Sequence, residues 1–475
     1  MSTHAGHEAV VIGAGPNGLA AAIVLAEAGH SVLLVEANET IGGGCRSAEL
    51  TLPGFVHDTC SAIHAVAAAS PLFGSLPLAS YGLEWIHPPV ALAHPFDDGT
   101  AAILTRSIEE TAASLGEDAD AYTDLFSPLV KDFDLLVPQL LGPFRLPRHP
   151  IAMARFGLSA LRPAHSFAKS RFAGAHARGF FAGLAAHSIL DLNRPISTAF
   201  GLVLAMFGHA VGWPIARGGS QRIADALGSH FQSLGGTIQI GTRVTSLDIA
   251  ARADAVLFDT SPKQFLEIAG GETPARYQRF LRNYRYGPAV FKIDWALDGP
   301  VPWTADECRQ AGTVHLGGTL QEIVASEHEM ATGTHSERPF VLLAQQSLFD
   351  SSRGPDGAHT LWGYCHVPNG STVDMTGPIE AQIERFAPGF QKHIVKRVVT
   401  GSVALEASNA NYVGGDIIGG MQDLRQLYAR PAPRLDPYST PNRRLYICSS
   451  STPPGGGVHG MSGFHAAKSA LRRAW

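Results

Sequence analysis

Residues 9–36 read AVVIGAGPNGLAAAIVLAEAGHSVLLVE, and the order of pieces in this stretch decides the fold. An apolar run (9–12) enters Gly13-Ala14-Gly15-Pro16-Asn17-Gly18. An apolar helical segment follows, then a second apolar run (31–35) closed by Glu36. Three glycines in a GxGxxG pattern carry little information alone. After a strand, at the start of a helix, and 18 residues ahead of an acid closing the next strand, they spell a dinucleotide-binding βαβ unit. Gly13 permits the tight turn, Gly15 lets the backbone approach a pyrophosphate, and Gly18 lets helix and strand pack closely. Pro16 and Asn17 lie in the same turn, where the helix N-terminus presents free N–H groups and the positive end of its dipole to phosphates. Glu36 is placed to accept hydrogen bonds from an adenosine ribose and would repel a 2′-phosphate. NAD or FAD is therefore expected rather than NADP.

The chain has 475 residues, too many for one simple core, so two or three domains are expected. Hydrophobic residues make up 45% and charged ones 16%, which suits a globular protein with much buried surface. The net charge of −5 gives no global basic signature for nucleic acid. Five cysteines are scattered and none forms CxxC, so neither a disulfide framework nor a metal site is expected, and a reducing cytoplasm fits. The missing CxxC also argues against relay of electrons through a redox-active cysteine pair. No signal or transit peptide is read ahead of the first strand.

Two stretches in the middle stand out. Residues 145–190 hold seven Lys or Arg and no acid, interleaved with Ile151, Met153, Phe156, Leu158 and Leu161. Three readings are open: an exposed basic helical face, a membrane-surface patch, or a binding region for an anionic substrate. Residues 195–216 carry no charge, yet Pro195, Gly201, Gly208, Gly212 and Pro214 suit a lipid-exposed helix poorly. A buried helix beside a substrate cavity is expected there. Residues 107–137 read as helical, with Ser107 as N-cap. After Arg217-Gly218-Gly219-Ser220, an amphipathic helix (221–234) precedes strands at 237–240, 242–247 and 255–259. Strands at 289–297, 313–316, 340–347 and 360–366 read as a mainly antiparallel sheet.

A second glycine motif closes the chain. A strand at 444–450 leads into Thr452-Pro453-Pro454-Gly455-Gly456-Gly457-Val458-His459-Gly460-Met461 and a C-terminal helix. Gly455, Gly457 and Gly460 also spell GxGxxG. Only 15 residues remain after Gly460, too few for a second strand and its ribose acid. The motif is instead a strand–loop–helix that sets another helix N-terminus against a ligand.

With both ends in view, the chain resembles the phytoene dehydrogenase-like FAD oxidoreductases. That group includes carotenoid desaturases, desaturase-like carotenoid ketolases and a mitochondrial relative. The resemblance spans essentially the whole chain. It rests on Gly13–Leu19, Glu36, Gly42-Gly43-Gly44-Cys45-Arg46, Pro53-Gly54-Phe55, Arg217–Ser220 and Thr452–Met461. It implies an α/β protein: a Rossmann-type FAD-binding domain (three-layer, mostly parallel sheet) with an inserted α+β substrate domain, discontinuous in sequence. The parts are 1–90, 206–270 and 431–475 for the FAD domain, and 91–205 (helical, basic) and 271–430 (antiparallel sheet plus helices) for the substrate domain. It also implies that Gly43, Gly44 and Arg46 run along the FAD phosphates and ribityl chain and that the Val244 backbone meets the adenine. Gly460 and Met461 would start a helix beside the flavin, whose reduced form a helix N-terminus stabilises. Ser449-Ser450 stands where many members of that group carry Gly followed by an acid or a small residue, and Ser450 is placed to hydrogen-bond the ribityl or phosphate.

FAD would carry the redox step. The expected reaction is hydride transfer from an apolar, isoprenoid or lipid-like substrate to flavin N5. Alternatives are a redox-neutral flavin isomerase and a non-catalytic flavoprotein serving a partner assembly. Amine oxidation ranks lower, because neither a flavin-facing lysine nor an aromatic cage is identifiable in the sequence. With no second nicotinamide unit, the electron acceptor is oxygen, a quinone or a freely docking nicotinamide. His459 and His64 are the candidate catalytic groups among 21 histidines, each set against a structural role; His57, His209 and His465 rank lower.

Overall fold

In a computed structural model, described for residues 6–427 and 429–475, two sheets meet across a central cavity. The first sheet has the order Leu445–Ile447, Ala255–Phe258, Ala9–Ile12, Val32–Val35, Thr237–Gln239, every pair parallel. Runs such as AVVI, VLLV and AVLF carry apolar side chains at every position. Only a strand covered on both faces can bury them all, and parallel sheets meet that condition. One face is covered by the helix Pro16–Glu27, against which Met461–Arg473 and Gln221–Ser233 pack. The two chain ends interlock here: a β-carbon at Gly463 would overlap the Asn17 carbonyl oxygen.

The second sheet has seven strands: Ile394–Thr400, Ala289–Leu297, His359–Val367, Val341–Ala344, Ala311–Leu316, Val90–Pro95 and Ala101–Leu104. It is antiparallel except where Ala311–Leu316 meets Val90–Pro95. Period-two alternation divides its faces. Leu361, Cys365 and Val367 pack with Ile379, Ile383 and Phe386 of the helix Thr376–Phe386. Trp362 and Tyr364, one residue out of phase, turn to the helical layer that contains Ala175–Ala186 and Ser197–Ala210. The uncharged stretch 195–216 thus supplies a packed helix of 14 residues. Among the described residues no helix is long and apolar enough to cross a membrane.

Two readings need correction. The helical part 91–205 opens on strands, because residues 90–104 form a hairpin at the edge of the second sheet. Residues 242–247 are not a strand. Gly241 turns the chain, the Thr242 N–H bonds the Glu36 carbonyl at 2.8 Å, and Ser246 caps the short helix Leu247–Ala250. The expected helix over 107–137 is present but broken into Ile108–Ala113, Ala119–Lys131 and the start of Phe133–Leu140.

Candidate functional site

The C-terminal edge of the parallel sheet opens onto a continuous cavity whose far wall is the second sheet, the placement expected for a ligand in an α/β protein. Its nucleotide wall is made of tight backbone. Gly13 adopts φ +100°, which disfavours any residue with a β-carbon. A β-carbon at Gly18 would overlap the Gly13 carbonyl oxygen, and one at Gly15 would come within 2.6 Å of Asp259 Oδ2. Pro16 and Asn17 line the cavity at the start of their helix. Glu36 is buried: Oε2 accepts the Ala14 N–H at 2.8 Å, and Oε1 accepts the Asn38 N–H and Nδ2 at 2.9 and 2.8 Å. Its carboxylate therefore ties the end of the second strand to the glycine turn. Thr242, Arg243 and Val244 line the cavity beside it.

Asp259, not singled out by the sequence, closes this wall. Its Oδ2 accepts the Gly18 N–H at 2.9 Å. Burial pushes its carboxyl up to about 7; the Gly18 bond opposes that rise and the Glu36 charge adds to it. The second loop stacks on the first, with a β-carbon at Gly43 placed 3.1 Å from Gly15 Cα. Gly43, Gly44 and Ser450 all line the cavity. Arg46 does not: its guanidinium donates to the Gly43 and Ser408 carbonyls at 3.0 Å each and staples the loop from outside.

The C-terminal loop also differs from its expected arrangement. The cavity wall ends at Gly457 and Val458. Gly460 sits behind it against Ala20, Leu72 and Phe73, and Met461 is buried. His459 is fully buried and both ring nitrogens are engaged: Nε2 donates to the Gly455 carbonyl at 3.2 Å and Nδ1 accepts the Met461 N–H at 3.0 Å. Burial holds its pKa down at about 4. His459 is thus a clasp for the loop and a cap for the helix, not a group facing a ligand, and Gly460 and Met461 support the wall without forming it.

The residues present fit a bound dinucleotide. The glycine turn leaves a cradle that a β-carbon would fill, an acid ends the second strand, and two buried cavity-lining atoms, Asn17 Oδ1 and Thr260 Oγ1, have no partner among the described residues.

Beyond this wall the cavity continues into a chamber lined by Leu204, Trp213, Leu342, Trp362 and Tyr364. Leu204 and Trp213 lie in the uncharged stretch 195–216, expected beside a substrate cavity; the sequence did not single out Leu342, Trp362 or Tyr364. His64 lines the chamber too. Its Nε2 lies 2.8 Å from Ser220 Oγ, whose own proton goes to the Ser61 carbonyl at 2.7 Å. The His64 proton therefore sits on Nε2, and Nδ1 keeps a lone pair without a partner among the described residues. Burial lowers its pKa to about 4 despite nearby Asp58. His187, also on the chamber wall, meets His315 at 2.9 Å between Nε2 atoms, and burial keeps both neutral. His57 is bound to Thr51, His209 to Tyr122, and His465 stacks on Tyr438.

A buried ionic network supports the chamber. Arg353 bridges Asp58 at 3.1 Å and Asp350 at 3.0 Å, all three inaccessible. Asp58 also accepts Ser47 Oγ and the Ser220 N–H, and Asp350 accepts the Gly218 N–H. The Arg217–Ser220 motif is therefore a structural turn. Burial would raise the Asp58 carboxyl; Arg353 and these donors hold it below the usual range. Lys292 and Asp294 form a second buried ion pair, and Lys292 Nζ lies 5.8 Å from the Trp362 ring centre. The signal for this pair was present in the strand AVFKIDWAL, where two charges share one face of an otherwise apolar run. No group of three or more potential metal ligands occurs among the described residues.

The chain is similar to known proteins along most of its length. The profile of the NAD(P)-binding Rossmann-like domain matches residues 11–74. The chain is 25% identical to pyridine nucleotide-disulfide oxidoreductase domain-containing protein 2 of Rattus norvegicus, over 98% of this chain and 93% of that protein. It is 22% identical to a limonene dehydrogenase subunit of Castellaniella defragrans, over 97% and 94%. A triple mutant of putrescine oxidase shares the fold with a TM-score of 0.63 at 16% identity, over 98% of each chain. The chain is an α/β protein with a Rossmann-type NAD(P)/FAD-binding domain joined to a second domain.

Proposed function

We propose that this protein is an FAD-dependent oxidoreductase of the phytoene dehydrogenase-like kind, a dehydrogenase or desaturase acting on an apolar, isoprenoid or lipid-like substrate. The observation that carries the reading is the continuity of the dinucleotide wall with an aromatic and aliphatic chamber in one cavity. Bound FAD would supply a hydride acceptor at N5. The chain supplies the rest. Gly13, Gly15 and the helix beginning at Pro16 hold the pyrophosphate, and Glu36 and the backbone at Val244 hold the adenosine. Leu204, Trp213 and Leu342 bind and orient the substrate while excluding water. The name of the Castellaniella relative, a limonene dehydrogenase, supports an apolar terpenoid substrate class.

Two competing chemistries are less well served by the cavity itself. Thiol–disulfide exchange needs a thiolate, but all five cysteines are free and burial pushes the Cys45 thiol up to about 12. An ammonium substrate is held by a counter-charge or by an aromatic cage, and among the described residues of the chamber only the rings of Trp213, Trp362 and Tyr364 could serve. Among the described residues, the only acids on the cavity wall are Glu36 and Asp259, both at the glycine turn.

Residues 145–190 support a peripheral contact with anionic membrane lipid, since Ile151 and Leu158 are 78% and 79% exposed on one helix beside exposed Arg148. A quinone, oxygen or free nicotinamide would then reoxidise the flavin. The test is anaerobic addition of terpenoid and lipid extracts to the purified protein. Bleaching of the flavin absorbance is expected. Rearrangement of a double bond by reduced enzyme alone would show the isomerase instead. A flavin that stays oxidised in a protein retained by one partner would show a non-catalytic role.

A further inference from the structure

The chamber is apolar in bulk but not throughout. Thr313, Trp362 and His64 line it and are 1%, 5% and 1% exposed. Their Oγ1, Nε1 and Nδ1 atoms have no hydrogen-bond partner among the described residues. Native proteins rarely leave such atoms unmatched, because a buried unpaired donor or acceptor has lost its bonds to water and gained none in return. Three on residues that line one cavity, two of them on the second sheet and His64 ahead of the helix Ala65–Ala68, call for a ligand that answers them.

Strand register places two of them together. Thr313 pairs with Ala344, and Ala344 pairs with Trp362, so the three residues form one row across the same face of the second sheet. Neighbouring strands are about 4.8 Å apart, and the central member of the row is only a methyl group. The cavity meets this row at Thr313 and Trp362, on either side of the fully buried Ala344, and a hydroxyl and an indole bound the notch between them. The row below, His315–Leu342–Tyr364, is bulky at every position. The bonding capacities are also complementary. Trp362 Nε1 only donates, His64 Nδ1 only accepts, and Thr313 does either. A pure hydrocarbon satisfies none of them.

We propose that the substrate of this site is an apolar molecule bearing one oxygen function, a hydroxyl or carbonyl, seated in the notch between Thr313 and Trp362. This rests on the reading of the cavity as an oxidoreductase site for apolar molecules and narrows it. The oxygen accepts from the indole N–H and exchanges a hydrogen bond with the Thr313 hydroxyl, which fixes the apolar remainder in one orientation along Leu342 and Trp213.

The test compares limonene with its alcohol, perillyl alcohol, as binding probes for the purified full chain. Binding is read both from tryptophan fluorescence and from the flavin spectrum. The alcohol is expected to bind about 10-fold more tightly, as one or two buried hydrogen bonds would give. Thr313→Val and Trp362→Phe should each shrink that ratio, and together bring it to about 1, the ratio within each variant being the readout. Thr313→Ser should retain it. Equal binding of the two probes, binding of neither up to its solubility limit, or a ratio that survives in the double variant would overturn the proposal. Variants that lose flavin while keeping the ratio would also overturn it, since the groups would then serve the cofactor. Purification of the wild-type chain without flavin would instead sink the FAD reading. The fluorescence comparison would still decide the notch.

Discussion

The two walls of the cavity recognise ligands by different means. The wall at Gly13–Gly18 is made of backbone, packed so closely that a single added carbon has nowhere to go. The wall at Thr313, Leu342, Trp362 and Tyr364 is made of side chains standing on a seven-stranded sheet. The first can accept one chemical group and little else. The second can change its preference by one substitution without disturbing its strands. A common cofactor and a particular substrate need this division, and it predicts opposite responses to mutation.

The largest effect is expected on the backbone wall. Gly18→Val would force a β-carbon into the Gly13 carbonyl and a branched side chain toward Asp259. Loss of bound flavin and a destabilisation of more than about 3 kcal/mol are expected. Flavin content after purification and the urea midpoint measure both. A Gly18→Val protein with full flavin would show that the turn is not the tight element described above.

Next in size is the network beneath the other wall. Arg353→Met leaves Asp58 and Asp350 buried without their cation, so a loss of about 3–5 kcal/mol is expected. Its pH dependence is part of the prediction. The Asp58 carboxyl is held below its unfolded value, so its contribution is present above the unfolded pKa of 3.8 and is lost as pH falls through the lower folded value. The difference between wild type and Arg353→Met in denaturation midpoint should therefore narrow in acid. A constant difference down to the acid transition would refute this assignment.

The same contrast explains how much of the molecule is legible in its sequence. Backbone crowding has one chemical solution, glycine, so Gly13, Gly15 and Gly18 declare themselves. The four-residue apolar runs of the parallel sheet do so too, because burial on both faces leaves no polar position. The chamber declares nothing comparable. In HTLWGYCHV, Trp362 and Tyr364 face the cavity while Leu361 and Cys365 face the Thr376–Phe386 helix, and both sets suit a buried strand. Which face meets the cavity depends on partners more than a hundred residues away. His459 shows the converse. Its place in the glycine-rich loop is readable, but both its nitrogens are taken by Gly455 and Met461, a fact of loop geometry that no spacing rule contains.

Asp259 allows a finer test of the backbone wall. Its folded carboxyl is raised to about 7 from 3.8, so the native state keeps a proton that the unfolded chain releases. Its contribution is fully present below 3.8 and declines as pH rises toward about 7, after which it is flat. Asp259→Asn keeps an acceptor for the Gly18 N–H and removes this titration. The variant is expected to gain on wild type as pH rises from about 4 to about 7, and to keep that margin at about pH 8, in paired denaturation curves. Parallel curves across that range would mean that Asp259 ionises normally.

The smallest effects give the sharpest comparison, because one threonine on each wall carries the same defect. Thr260 on the nucleotide wall and Thr313 on the chamber wall are both buried, and neither hydroxyl has a partner among the described residues. Replacing either by valine keeps the shape and removes an unpaired polar atom, so the ligand-free chain should gain stability, by about 1–3 kcal/mol. The consequences for ligands should be crossed. Thr260→Val is expected to raise flavin loss during ultrafiltration several-fold and to leave the preference for perillyl alcohol over limonene intact. Thr313→Val should leave flavin retention intact and erode the preference. The division of labour between the walls requires this crossing; if either variant moved both readouts, cofactor and substrate would share one set of contacts and the boundary drawn between the walls would be wrong.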